Sequence, residues 1–125
     1  MFFVSNNRCC PTDPLVKEEL EESLQKLRAE VPHDKKIENI SKILAGLSHP
    51  LRLKIALLLL IKDQCVCELV QLTENETKPN LVSHHLTILR KNGIVSAYMQ
   101  ANWKYYKLKE NVIPILKEIE RASKL

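Results

Sequence analysis

The fold is decided by residues 77–108, which read TKPNLVSHHLTILRKNGIVSAYMQANWKYYKL. The first half of this stretch carries apolar residues at helical spacing, namely Val82, Leu86 and Leu89. Thr77 is the expected N-cap of this helix, with Pro79 in its first turn and Gly93 just past its end. One face of the predicted helix therefore packs on a core, and the opposite face is open to a partner.

The open face carries hydrogen-bonding side chains and no acid. It presents Asn80, Ser83, His84, Thr87 and Lys91. Such a face fits the major groove of duplex DNA, where base edges offer donors and acceptors. Lys78 and the free N–H groups of the first turn can hold a phosphate, and Arg90 adds positive charge to the DNA-binding surface. His85 lies beside the apolar stripe, and we interpret it as a packing residue rather than as a base reader.

A β-hairpin is predicted after the helix. Residues 94–98 and 103–108 are β-prone, and residues 99–102 separate them. The second strand combines positive charge with aromatic rings, in the order Trp103, Lys104, Tyr105, Tyr106 and Lys107. Because side chains alternate along a strand, one of the two tyrosines is expected in the core. Lys104, near the turn, is predicted to contact a backbone phosphate.

The charge distribution points to nucleic acid. The net charge is only +4, but acids are concentrated between Asp13 and Glu38 and are absent between Thr77 and Lys109. A basic block of this kind attracts a polyanion, and nucleic acid is the favoured one. The alternative is an ordinary solvated basic face.

Composition favours one small, mostly helical domain, since the chain has 125 residues, 45% of them hydrophobic, and two glycines. No apolar run is long enough to span a bilayer, and the first residues do not resemble a signal peptide. We therefore expect a cytoplasmic protein without a membrane partner. In that compartment the four cysteines stay reduced, and they bind metal more often than they form structural disulfides.

Further helices are predicted on both sides of residues 77–108. They cover residues 14–31, about 35–47, a segment ending at Leu60, about 65–72, and about 111–123. Asp13 is the expected N-cap of the first helix, and Ser48 that of the third. The third helix is apolar nearly all round, which places it at the centre of the core.

Several motifs together resemble the ArsR/SmtB repressors. They are LAGLSHPLRLKIALLLL, CVCELV, VSHHLTILRKNGIVSAYMQ and KYYKL, in that order, and the resemblance covers about Ile37 to Leu108. It implies a dimeric winged helix-turn-helix protein that releases operator DNA when a metal ion or metalloid binds. Two features depart from the family: the wing tip lacks an Arg-x-Gly motif, and the acidic loop before the DNA-reading helix is slightly long.

The resemblance also implies how the chain is organised. Residues 13–125 would form a single winged helix-turn-helix domain, preceded by a flexible, cysteine-bearing tail over residues 1–12. In the family the first and last helices pair two protomers, and the apolar stripes of 14–31 and 111–123 agree with that homodimer. The alternative is that both stripes cover the monomer core. A dimer would read an inverted repeat with half-sites about one helical turn apart.

The sharpest chemical feature is Cys65-Val66-Cys67. In the middle of a helix, residues i and i+2 point about 200° apart and could not share an ion. At the start of a helix, Cys65 can lie in the extended entry and Cys67 in the first turn, so that both sulfur atoms converge. A helix N-terminus also favours the thiolate form.

Two thiolates are too few for a tight soft-metal site. The arsenic-sensing branch of the family commonly has a third cysteine in this helix, where this chain has Val70. The cadmium- and lead-sensing branch adds cysteines from an N-terminal tail, and Cys9 and Cys10 resemble that arrangement, although here they are adjacent. The resemblance thus implies a metal site of Cys65, Cys67 and one or both tail cysteines. The candidate ions are arsenite or antimonite, cadmium and lead, with zinc as a further candidate. The alternative is that the helix cysteines are small core residues and the tail pair is incidental.

The sequence therefore predicts a DNA-binding transcriptional repressor, not an enzyme, that a soft ion releases from its operator. Three alternatives remain: a thiol-redox-sensing repressor of the same fold, a thiol oxidoreductase or metal-trafficking protein, and a constitutive architectural DNA binder. The C-x-C spacing and the lack of a Gly-rich cofactor loop weigh against the second alternative.

Overall fold

The computed structural model describes residues 13–124, so the predicted tail with Cys9 and Cys10 lies outside the described residues. The element order is α1 (Pro14–Glu30), α2 (Asp34–Leu47), α3 (Pro50–Ile61), β1 (Gln64–Cys65), α4 (Val66–Leu72), α5 (Pro79–Lys91), β2 (Val95–Gln100), β3 (Trp103–Leu108) and α6 (Ile113–Ala122). The fold is mostly helical with a small antiparallel sheet, which confirms the predicted winged helix-turn-helix.

The chain divides into two units, one ending at Ile37 and the other beginning at Glu38. In the first unit, α1 starts where Asp13 accepts a 2.9 Å hydrogen bond from the backbone N–H of Leu15. Val31 is its C-cap, and Pro32 follows, as the sequence predicts. No residue of α1 is buried.

The core of the second unit is built around α3, as its apolar sequence predicts. Ile55 and Ala56 of α3 are fully buried. The predicted stripe of α5 packs into the same cluster, and so do residues of the sheet and of α6. These contributions are Val82, Leu86 and Leu89 from α5, Ile94 and Val95 around the start of β2, and Leu116 from α6.

The sheet has the strand order β1-β3-β2. The hairpin of β2 and β3 is present, but its predicted four-residue turn is wrong. Pairing continues to Gln100 opposite Trp103, so that only Ala101 and Asn102 remain in the turn. The chain reverses direction at Ala101, whose backbone is left-handed with a φ of 56°. β1 has only two residues, too few to produce an alternating pattern in the sequence, and it was not predicted.

Two predicted N-caps are wrong by one residue. His49 caps α3, with its Nδ1 accepting from the N–H of Leu51 at 3.1 Å, whereas Ser48 donates to the carbonyl of Ala45. Lys78, not Thr77, is the N-cap of α5. In both helices a proline occupies the start, and proline disfavours helical geometry in the residue directly before it. That preceding residue therefore becomes the cap, as Asp13 does before Pro14.

Within residues 13–124, no single helix is both long enough and apolar enough to cross a membrane. Only α2 and α3 taken together reach such a length, and they are bent by 102° at their junction.

Candidate nucleic-acid interface and thiol pair

The outer face of α5 is open to solvent over its whole length. All of its predicted DNA-binding residues are exposed, namely Lys78, Asn80, Ser83, His84, Thr87, Arg90 and Lys91. The first turn also exposes Leu81, which was not among the predicted contacts and is 36% accessible. Because α5 keeps Val82, Leu86 and Leu89 inward, it can lay this face into a groove without losing core packing.

One hydroxyl of this face is already engaged within the helix. The Thr87 Oγ1 donates to the carbonyl of Ser83 at 3.0 Å. While that bond holds, Thr87 offers a base edge only acceptor lone pairs. Ser83 and His84 keep both donor and acceptor capacity.

The start of α5 has the features of a phosphate site. The N-cap side chain of Lys78 makes no capping hydrogen bond, and Pro79 has no N–H of its own. The backbone N–H of Asn80 is therefore not taken by an N-cap side chain. A positive side chain beside a helix N-terminus favours an anion at this point.

His85 lies on the inner side of α5, 6% exposed, as predicted for a packing residue. Its Nδ1 lies 3.3 Å from a guanidinium nitrogen of Arg52, and its ring lies 4.5 Å from that of His49. Burial lowers the pKa of His85, and the nearby His49, Arg52 and His84 lower it further. Since arginine is only a donor, the Nδ1 of His85 accepts and the imidazole is neutral.

Arg52 was missed by the sequence analysis. Its Nε donates to the carbonyl of Gly46 at 2.7 Å, so one guanidinium contacts the end of α2 and the inner face of α5. The available signal was an arginine inside a helix that is otherwise almost wholly apolar.

The β2–β3 hairpin, here called the wing, carries Lys104 at its exposed end. The ammonium of Lys104 lies 5.5 Å from the ring centre of Tyr106. Tyr106 is the core tyrosine of the adjacent pair, whereas Tyr105 is half-buried. The tip also exposes Met99 and Trp103, which are 63% and 60% accessible.

Cys65 and Cys67, here called the thiol pair, lie as expected at the start of α4. Cys65 is its extended N-cap, with φ −89° and ψ 169°, and Cys67 is in the first turn. Cys65 is half-buried and Cys67 is exposed, which contradicts the alternative that both are core residues.

Glu68 completes the start of α4. Its carboxylate accepts the N–H of Cys65 at 3.1 Å and lies 3.4 Å from the Lys62 ammonium. The hydrogen bond from the Cys65 N–H is the main cause that holds the pKa of Glu68 below its usual value, with Lys62 as a smaller cause.

Within residues 13–124, no group of three or more His, Cys, Asp or Glu side chains is placed to hold a metal ion. The described part of the chain thus supplies two sulfur donors. The short helix α4 that carries them packs directly against α5.

Comparison with known proteins gives a consistent result. Residues 49–97 match the model of the bacterial regulatory protein, arsR family. An uncharacterized HTH-type transcriptional regulator of Methanocaldococcus jannaschii is 34% identical over 87 residues, which are 68% of this chain and 96% of that protein. A cadmium resistance transcriptional regulatory protein CadC homolog of Staphylococcus aureus is 31% identical over 81 residues, covering 64% of this chain and 65% of its own.

Solved structures share the fold. The transcriptional repressor PagR of Bacillus anthracis superposes with a TM-score of 0.62 at 26% identity, covering 70% of this chain and 99% of its own. The homodimeric winged helix-turn-helix DNA-binding domain of a possible ArsR-family regulator from Mycobacterium bovis gives 0.66 at 21% identity, covering 74% and 88%.

Proposed function

This chain belongs to the ArsR family of DNA-binding transcriptional regulators, and from that premise we propose that it is a homodimeric repressor released from its operator by a soft metal or metalloid ion. The family and the fold are those of regulators, not of enzymes. The observation that carries the proposal is the position of the thiol pair, at the start of a helix that packs against the helix with the exposed polar face.

In this proposal α5 reads the operator in the major groove. Base edges are contacted by side chains of short or medium reach that can hydrogen-bond, namely Asn80, Ser83, His84, Thr87 and Lys91. Lys78, Arg90 and, on the wing, Lys104 contact phosphates. Two copies of α5, related by the symmetry of a homodimer, read the two halves of an inverted repeat.

The effector binds at sulfur. Cys65 and Cys67 supply two thiolates, and Cys9, Cys10 or both supply the rest, since soft ions prefer thiolate ligands. Arsenite, antimonite, cadmium and lead are the candidate ions, with zinc as a further one. The 31% identity to a CadC homolog, a cadmium resistance regulator, supports this class of effector.

Binding of the effector and binding of DNA then weaken each other. An ion that binds the free dimer better than the DNA-bound dimer weakens DNA binding, and DNA weakens ion binding by the same factor, typically about 5- to 150-fold. The proposal therefore requires a measurable coupling in both directions.

The test uses the full-length protein and an inverted-repeat duplex selected by that protein from a random pool. Cadmium chloride is titrated into the labelled complex while DNA anisotropy and thiolate charge-transfer absorbance are recorded together. We expect release at stoichiometric cadmium, with absorbance and anisotropy changing in parallel. Lead nitrate and sodium arsenite are titrated in the same way to rank the ions.

Two paired variants are the controls. Cys65→Ser/Cys67→Ser should still bind DNA but lose both the absorbance band and the release, whereas Cys9→Ser/Cys10→Ser should bind cadmium more weakly. Release of the Cys65→Ser/Cys67→Ser variant at wild-type cadmium concentrations would overturn the thiol site. Release by peroxide, reversed by dithiothreitol and indifferent to metal, would replace metal sensing with redox sensing.

A further inference from the structure

The strand that carries Cys65 is also an edge strand of the wing sheet. β1 pairs antiparallel with β3, with Cys65 opposite Tyr105 and Gln64 opposite Tyr106. β3 in turn pairs with β2 along the whole hairpin. The backbone of one proposed metal ligand is therefore part of the same hydrogen-bonded sheet as the wing.

A side-chain bond ties the same two segments together. The hydroxyl of Tyr98, in β2, donates to the Asp63 carboxylate at 2.8 Å, two residues before Cys65. The Tyr98 ring stacks on that of Tyr105, with centres 5.7 Å apart and planes inclined by 20°. Tyr98 and Tyr105 are directly opposite in the β2–β3 register, and Tyr105 is opposite Cys65 in the other register.

These contacts connect the segment that carries Cys65 to the wing without a break. Asp63 and Cys65 flank Gln64, which is 2% exposed and is anchored by its side-chain amide to the carbonyl of Leu58 at 2.8 Å. Asp63, Gln64 and Cys65 therefore form one short segment of chain, and the Gln64 anchor sets the position of that segment in the ion-free protein. The hydrogen bond from Tyr98 to Asp63 is the main cause that raises the pKa of Tyr98 above its ordinary value.

Resting on the effector binding proposed above, we propose that Tyr98 is the positioning residue that couples the thiol pair to the wing. In the ion-free protein, the Tyr98–Asp63 bond and the Tyr98–Tyr105 stack hold the hairpin at the angle at which Lys104 meets DNA. Ligation at Cys65 displaces the β1 segment, and the bond transmits that displacement to β2. The effector thus acts on the wing as well as on α5.

The test compares two variants that each remove one hydroxyl. Tyr98→Phe keeps the stacked ring but loses the bond to Asp63, whereas Tyr105→Phe keeps both the stack and that bond. For each, DNA affinity is measured by anisotropy with and without saturating cadmium chloride, and cadmium binding by charge-transfer absorbance. We expect Tyr98→Phe to bind cadmium as the wild type does but to lower the ratio of the two DNA affinities about 2- to 10-fold, the range of one hydrogen bond. Tyr105→Phe should retain the wild-type ratio.

Trp103 provides a second readout that needs no DNA. It is the single tryptophan of the chain and lies exposed at the wing. Cadmium should alter its emission in the wild type and in Tyr105→Phe, and alter it less in Tyr98→Phe. Equal affinity ratios in all three proteins, with cadmium releasing DNA from each, would overturn the role of Tyr98 and leave the proposed function standing. A wild type that neither cadmium, lead nor arsenite releases from DNA would overturn both.

Discussion

Arg52, His85 and His49 form a cluster behind the exposed face of α5. The guanidinium of Arg52 donates to the carbonyl of Gly46 and approaches the Nδ1 of His85, whose other close neighbours are the His49 and His84 rings. Arg52 is a cation, and it lowers the pKa of His85 together with His49 and His84, so a proton on His85 would meet unfavourable charge. It would also break the contact with Arg52, because a protonated imidazole cannot accept.

The cluster makes stability depend on pH in a definite direction. The pKa of His85 is lowered in the folded protein from its ordinary value of 6.5, so below that value the unfolded chain binds more protons than the folded one. Stability from this residue is therefore full above about pH 6.5 and is lost as the pH falls through the folded-state pKa. Lowering the pH from 7.5 to 5.5 should lower the urea concentration at the midpoint of unfolding. This decrease should be smaller in His85→Gln than in the wild type, because glutamine keeps an acceptor for Arg52 but does not titrate.

The exposed neighbour is the matched control for this measurement. His84→Gln removes an imidazole from the outer face of the same helix. Because His84 is the smallest cause of the lowered His85 pKa, most of the wild-type pH dependence should remain. A His85→Gln variant that loses as much stability on acidification as the wild type would contradict the assignment.

Among the secondary-structure elements, the observed helices agree closely with the predicted ones, whereas the residues at which helices begin and the short strand β1 agree less well. The 3.6-residue periodicity of α5 sets its buried stripe, and Gly93 ends it with a φ of 75°. The predicted N-caps of α3 and α5 are each wrong by one residue. The position of the proline, and not the best capping side chain, decides where each of these helices begins. β1 could not be predicted, because a two-residue strand exists only through its pairing with β3.

The junction of α2 with the start of β2 leaves no room for a side chain at Gly46. A Cβ added there would collide with Cδ1 of Ile94 and lie 3.1 Å from Cβ of Asn92. The Asn92 side chain is itself fixed by a 2.8 Å bond to the carbonyl of Lys42. We expect Gly46→Ala to lower the free energy of unfolding by about 1–3 kcal/mol, as overpacking does, measured by urea denaturation.

Gly93 supplies the contrast, because its requirement is conformational and not steric. No atom lies within 4 Å of a Cβ added to Gly93, but its positive φ disfavours most side chains. Gly93→Asn should therefore be tolerated, since asparagine visits the left-handed region more readily than other residues. A Gly46→Ala protein as stable as the wild type would show that Ile94 can move aside.

Across the whole molecule, the exposed polar face of α5 could be predicted from the sequence more completely than the proposed effector site. Exposure of the polar residues of α5 follows from periodicity alone. The link from Cys65 to the wing depends on the pairing of Cys65 with Tyr105. These residues lie 40 positions apart in the sequence, and no local sequence pattern encodes such a pairing. The tail cysteines lie outside the described residues, so their part in the site remains a prediction.

The apolar stripe of α2 is divided by the fold. Ile43 and Leu47 are buried, whereas Ile40 and Leu44 are 39% and 53% exposed. From the sequence, pairing of protomers is predicted for residues 14–31 and 111–123, without α2. Exposed aliphatic side chains next to buried ones on one helix indicate an interaction surface. In the proposed homodimer the second copy would cover it, so we propose the outer side of α2 as a further part of that interface.

This addition predicts that a charge at Leu44 separates the protomers. If the proposed interface is correct, Leu44→Glu places a carboxylate among apolar side chains without a compensating partner and should shift the protein to monomers in sedimentation-velocity experiments. Two linked α5 helices bind an inverted repeat far more tightly than one, so the affinity for that duplex should fall roughly 100-fold or more. Binding to a duplex with a single half-site should be unchanged, because the exposed face of α5 is intact.

Asn39→Glu is the matched control, since it adds the same charge to an exposed position of α2 about 140° around the helix from Leu44. It should remain dimeric and keep its affinity for the inverted repeat, apart from a small loss from added negative charge that higher salt removes. If Leu44→Glu sediments as a dimer, the outer side of α2 is not in the interface, and pairing is left to the two helices named from the sequence. If it is monomeric yet binds the full repeat as tightly as the wild type, the operator is not read by two linked copies.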